Sequence, residues 1–137
     1  MPAPSPEFPA PSSGERCPCL SGEVFGACCG PFLAGEADAP TAVQLMRSRY
    51  TAFVVGDGAY LLATWHPSTR PDRLDLDPSM RWYRLDVLRR ERGGPLDRDG
   101  LVEFRALYRH GTERGELHEV SSFARDGRRW RYVSPMP

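Results

Sequence analysis

The residues with the plainest chemistry are four cysteines gathered in the stretch Arg16 to Pro31, arranged as Cys17-Pro18-Cys19, eight further residues, and Cys28-Cys29. Two tight pairs of thiolates can surround one ion, and four sulfur ligands at about 2.3 Å in a tetrahedron make a closed structural zinc site. Ser21-Gly22 supplies a turn between the pairs, because glycine takes positive φ without a Cβ clash. Glu23 to Ala27 is long enough for one helical turn that returns the second pair to the ion. Disulfides suit the same residues poorly. A Cys28–Cys29 bond is strained, since adjacent Cα atoms lie about 3.8 Å apart, and a Cys17–Cys19 bond closes a very small ring. Cross-pair bonds are sterically open but require an oxidising compartment. The expected cofactor is one Zn ion on Cys17, Cys19, Cys28 and Cys29, with Arg16 and backbone N–H groups as donors toward the sulfurs.

The elements that must position this cluster follow it in the chain. Pro31 to Gly35 reads as a linker whose Phe32 docks on the main domain. Thr41 and Gln44 form a T-x-x-Q capping box, and Val43, Met46, Tyr50, Phe53 and Val54 recur at helical spacing, which predicts a helix over 41–55 with Gly56 as its stop. Arg47 and Arg49 are expected on its flanks as solvated charges. Asp57 caps a second helix over 58–65, ended by Pro67. Residues 67–80 mix Pro, Asp and Arg and read as an irregular connector.

From Arg81 the period changes to two. Tyr83, Leu85 and Val87 are expected on one face of a first strand that Gly93-Gly94-Pro95 ends. Val102, Phe104, Ala106 and Tyr108 share a face of a second, a third runs from about Glu116 to Arg125, and Asp126-Gly127 turns into a fourth over 128–133. Helices followed by an antiparallel meander argue an α+β fold with the helices packed on one face of the sheet.

Composition bounds the function classes. The 137 residues hold 40% hydrophobic residues and 14 prolines, which allows one ordinary domain with a small appendage and a sizeable irregular fraction. Formal charge is zero, so no overall field favours nucleic acid, anionic membrane or acidic substrates. All 18 basic residues are arginine, while lysine, asparagine and isoleucine are absent; their A/T-rich codons tie the bias to a GC-rich genome rather than to phosphate gripping. No run approaches the roughly 18 apolar residues of a membrane span. Residues 1–13 lack the basic start and apolar core of a signal peptide. A disordered Pro-rich lead-in over 1–15 and a cytoplasmic location are therefore expected.

Several separated motifs support a resemblance. Cys17-Pro18-Cys19-x-Ser21-Gly22…Cys28-Cys29-Gly30-Pro31 resembles the SEC-C zinc motif of the SecA translocation motor, with Cys29 where SecA has histidine. Leu45-Met46-Arg47-Ser48-Arg49-Tyr50-x-Ala52-Phe53, Tyr60-Leu61-x-x-Thr64-Trp65-His66-Pro67 and Glu119-x-Ser121-x-Phe123 together resemble the YchJ family of small bacterial proteins. The resemblance covers about 17–133. It implies a SEC-C-type zinc motif over 16–35 and, over 36–137, a domain similar to nuclear transport factor 2 (NTF2), a cone of helices against a curved sheet. Leu20 stands where the motif usually has glycine, at a cost of about 1 kcal/mol if the turn keeps positive φ. Ser134-Pro135 stands where the family often ends Asp-Gly, and the second cysteine motif of some relatives is missing.

Domains of this shape hold ligands inside the cone, and some are isomerases or dehydratases. Glu119, Ser121 and Phe123 share one strand face by the period of two, so all three point inward together and His118 points out. Trp65 and His66 close the second helix and are expected at the same opening, completing a candidate ligand site of Trp65, His66, Glu119, Ser121 and Phe123. A carboxylate and an imidazole over an apolar floor suit proton transfer, yet that arrangement is common without catalysis. A zinc with four sulfur ligands offers no Lewis-acid position, and neither a phosphate-cradling glycine loop nor a nucleophile–base spacing is present. The expected function is a small zinc-bearing binding module with a protein partner, as the SEC-C resemblance implies, or a small ligand in the cone. The acid–base enzyme is the alternative.

Overall fold

A computed structural model describes residues 8–136; the expected lead-in falls partly outside the described residues, at 1–7. The helices come first: a 3-10 turn at Phe25–Ala27, then α1 (Gly30–Leu33), α2 (Ala42–Val55) and α3 (Gly58–Ala63). Four strands follow, β1 (Met80–Arg92), β2 (Asp99–His110), β3 (Glu113–Asp126) and β4 (Arg129–Pro135), paired antiparallel in that order. The fold is α+β, a curved meander with its helices against one face.

The capping residues act as their types dictate. The Thr41 side chain accepts from Gln44 N at 3.1 Å, satisfying one of the free N–H groups at the start of α2. Gly56 ends the helix at φ 74, in the left-handed region. The Phe8 ring lies against Gly56, where a Cβ would fall 2.4 Å from it. Asp57 accepts from Tyr60 N and starts α3, but α3 stops at Ala63, short of the expected residue 65. The Thr64 hydroxyl donates back to Tyr60 O at 2.8 Å. The chain then leaves the helix to pair with β4, Tyr132 N donating to Thr64 O and His66 N to Tyr132 O. Backbone demand from the sheet edge thus ends the helix before Pro67 does.

The sheet curves at two irregularities in β1. The register shifts between Trp82 and Arg84 and again between Val87 and Arg89, leaving Tyr83 and Leu88 as extra residues that are 40% and 45% exposed. The first shift overturns the expected face of β1: Trp82 faces the helices and Tyr83 faces out, while Leu85 and Val87 stay inward. Each bulge adds local twist and bends the strand, which wraps the sheet around α2. β2 and β3 pair without a shift, setting Val102 opposite Ser121 and Phe104 opposite Glu119.

The core lies between α2 and the sheet, built on Leu45, Met46, Leu85, Val102, Phe123 and Trp130. Burying a side chain of the size of Phe123 contributes roughly 2–3 kcal/mol. Trp130 also donates its Nε1–H to Pro40 O, tying the chain ahead of α2 to β4. The segment expected as a linker is the short helix α1 instead, started by Pro31. Its Leu33 packs on the core, and Phe32 lines an open cleft with Tyr60 and Trp130. The motif's backbone pairing begins before residue 16, with Phe25 N donating to Glu15 O and Gly26 N to Ser13 O.

Candidate functional site

The first site is the cysteine cluster. Cys17 N bonds Glu23 O at 2.8 Å and Arg16 bridges Val24, closing a small loop under the first pair. The 3-10 turn then carries Cys28 and Cys29 back to it. All four thiols are free, and their sulfurs lie within 4.8 Å of one another. Cys19 and Cys28 are 3.6 Å apart and Cys28 and Cys29 4.0 Å. Metal–sulfur bonds near 2.3 Å in a tetrahedron set sulfurs about 3.8 Å apart, so the donor set fits a tetrahedral metal ion. Cys17, Cys19 and Cys29 are buried. Hydrogen bonds from Cys17 and Cys29 draw the Cys19 thiol down, whereas its bond to Cys17 and burial push the Cys29 thiol up. Four bare thiols share their protons; a cation lets all four ionise together.

The main domain reaches the cluster through α2. The buried Thr51 hydroxyl donates to Cys29 Sγ at 3.3 Å, and the Arg47 guanidinium donates to Cys19 O at 2.7 Å. Ser21 Oγ lies 3.1 Å from Cys28 Sγ. These hydroxyls take the place expected for Arg16, which is exposed. Leu20 keeps the turn of the motif at φ 62 despite its Cβ, and its side chain is 54% exposed.

The second site is a cavity of about 270 Å³ between α2 and the concave face of the sheet. Trp65, Glu119, Ser121 and Phe123 all line it. Glu119 Oε2 accepts from the Ser121 hydroxyl and, at 3.2 Å, from the Tyr132 hydroxyl. Burial, then the charge of Glu119, holds the Tyr132 phenol above its ordinary range, so it stays a donor. His118 is on the opposite face, bonded to Glu103 at 2.7 Å. His66 does not join the cavity residues. Its Nδ1 is held 2.8 Å from Ser68 Oγ and accepts from Ser68 N, in the turn that Pro67 begins.

The solvated reading of Arg49 and Arg47 is overturned. Arg49 is 6% exposed and donates from one terminal nitrogen to Leu61 O at 2.8 Å and Thr64 Oγ1 at 2.7 Å. Its guanidinium carbon lies 5.0 Å from the Trp65 ring centre and 4.6 Å from that of Tyr132. Burial lowers its pKa to about 10, which leaves it cationic at neutral pH. The carbonyl, the hydroxyl and the two ring faces replace the water this charge has lost. Tyr50, Trp82 and Phe104 also line the cavity. The signal for Arg49 was in the chain: Met46, Arg49, Tyr50 and Phe53 form one i, i+3, i+4, i+7 stripe.

Comparison with known proteins covers both sites. The model of the YchJ middle NTF2-like domain matches residues 41–135, and that of the SEC-C motif matches residues 15–31. A UPF0225 protein of Streptomyces avermitilis is 54% identical over 125 residues, covering 91% of this chain and 84% of the relative. One from Chromobacterium violaceum is 50% identical over 122 residues, covering 86% and 90%. Among solved structures, a SEC-C motif containing protein from Rhodopseudomonas palustris superposes with TM-score 0.75 at 32% identity, over 88% of this chain and 96% of that one. Another, from Psychrobacter arcticus, superposes with TM-score 0.72 at 25% identity, over 90% and 83%.

Proposed function

The chain belongs to the YchJ family of UPF0225 proteins, and on that premise we infer that it is a zinc-bearing binding module acting in the cytoplasm, where its thiols stay reduced. The observation that carries the reading is the set of four free thiols at tetrahedral spacing, locked onto α2 by Thr51 and Arg47. Zinc supplies the folding energy that so short a motif cannot draw from a core of its own. Four sulfur ligands leave it no position for water, so the ion builds a surface rather than a reaction centre. That surface carries Leu20 and Val24, 54% and 40% exposed, on the loop that holds the sulfurs. Apolar side chains presented on a rigid, metal-held loop fit contact with a protein partner. The cone supplies the second recognition element, for a small ligand. Charge is balanced overall, which argues against nucleic acid. No helix among the described residues is long and apolar enough to cross a membrane.

One observation favours a second reading, an isomerase- or dehydratase-like enzyme: Glu119 stands inside a largely apolar cavity, where a carboxylate can act as a base. The two readings separate on one pair of variants in a host whose own copy is deleted, under a condition where deletion has a phenotype. Glu119→Gln keeps a hydrogen-bond acceptor and removes the base, so the binding module retains function within about twofold. Cys28→Ser breaks the metal site and abolishes it. Loss on Glu119→Gln in a protein that folds and carries its metal, with Cys28→Ser tolerated, establishes the enzyme instead.

A further inference from the structure

The outer face of the sheet carries its charges unevenly. Residues paired across strands share a face, so the register sets Arg81 of β1, Arg109 of β2 and Arg114 of β3 side by side in one row. All three are exposed. Elsewhere on that face arginines have carboxylate partners: Arg84 with Asp86, Arg89 with Glu103, and Arg105 with Glu116. Among the described residues, no carboxylate pairs with an arginine of the row. His110 and Glu113, which adjoin it in the chain, oppose each other on the other face. Like charges set directly opposite one another work against folding, so the row does not serve the sheet's own stability.

The surroundings of the row narrow its occupant. The Arg109 guanidinium carbon lies 5.0 Å from the centre of the Tyr83 ring, on the residue that the first bulge turns outward. The ring steadies the guanidinium and is itself 40% exposed. Strands lie about 4.8 Å apart, so the row spans roughly 10 Å. Its charge stops there. A long polyanion laid along the strands would carry its phosphates onto Asp86, Glu103 and Glu116. One laid across them would leave the sheet on both sides, because β1 is an edge strand and β4 pairs only with residues 121–126 of β3. A short anionic segment meets guanidinium groups alone, each able to grip a carboxylate through two N–H donors.

We propose that the row docks a short acidic segment of a protein partner, its carboxylates on Arg81, Arg109 and Arg114 and a neighbouring apolar side chain against the Tyr83 ring. This rests on the reading of the chain as a binding module with a protein partner, and it assigns the charge class of the segment held.

The test is a fluorescence anisotropy titration of the full-length, zinc-loaded protein at low salt. Three labelled probes of one length are compared: a capped peptide with the core Glu-Glu-Glu-Phe, the same peptide with Gln for each Glu, and a single-stranded RNA. The acidic peptide is expected to bind at least tenfold tighter than either of the others, and to weaken severalfold at about 0.5 M salt, where exposed charges are screened. Arg109→Gln lowers that affinity at least fivefold. Because the substitution is exposed and relieves like charges, the urea unfolding midpoint holds or rises. Arg129→Gln removes an exposed arginine that pairs with Asp38 instead, and it changes binding less than twofold. Equal binding of the two peptides, tighter binding of the RNA, equal losses in the two variants, or no binding of the acidic peptide overturns the proposal. Such a result leaves the zinc site and the deletion-host comparison standing, whereas loss of function on Glu119→Gln overturns the binding module whatever the peptide does.

Discussion

Leu20 carries a left-handed backbone, φ 62, where its Cβ is unfavourable by about 1–2 kcal/mol. Glycine relieves that strain and returns part of it through the wider freedom of its unfolded chain, roughly 0.5–1 kcal/mol. Strain is the larger effect, so Leu20→Gly should strengthen metal retention about threefold in competition with a chelator; unchanged or weaker retention contradicts a strained turn. Arg49 gives the converse case, a residue whose environment was built for it. Arg49→Lys keeps the charge but cannot span Leu61 O, Thr64 Oγ1 and two ring faces at once. A loss of about 2 kcal/mol in urea unfolding is expected, and a loss under 0.5 kcal/mol refutes the buried role. Leu20 was legible as a departure from glycine in a named motif. Arg49 was legible only by spacing, since its type argued for solvent and nothing local announced the carbonyl and rings that hold it.

Helix α2 is the wall the two sites share. One face presents Arg47 and Thr51 to the cysteine cluster, and the neighbouring face presents Met46, Arg49 and Tyr50 to the cavity. Thr51→Val preserves shape and deletes the hydroxyl that donates to Cys29. Outer hydrogen bonds of this kind change metal affinity by about tenfold or more, so the variant should lose metal about tenfold more readily to a chelator while its urea unfolding midpoint barely moves. Equal retention would show that the contact is only packing. The cap and stop of α2 were readable because capping depends on residues within one turn. The early end of α3 was not, because a distant strand, β4, takes over the backbone at Thr64. The bulge at Tyr83 escaped for the same kind of reason: a period of two carries no mark of an inserted residue, and the partner strand decides where it falls.

At the scale of the whole molecule, the sheet divides two kinds of surface. Its outer face is laced with pairs such as Glu103–His118 and Arg105–Glu116, and its inner face closes on the cavity. The order of helices before strands made the α+β class legible, and the alternation in β3 placed Glu119, Ser121 and Phe123 together. His66 could not be placed that way, since the turn after a helix has no period to follow. The cysteine cluster was the most legible feature because all four thiols lie within one short stretch and need little tertiary context to meet. Zinc at that cluster is the claim on which the rest of the function depends. X-ray absorption at the zinc edge, on protein purified without chelator and with reduced thiols, tests it most directly. The expected result is one zinc per chain with four sulfur neighbours at about 2.3 Å; less than half an equivalent of zinc, or oxygen or nitrogen in its shell, would contradict it.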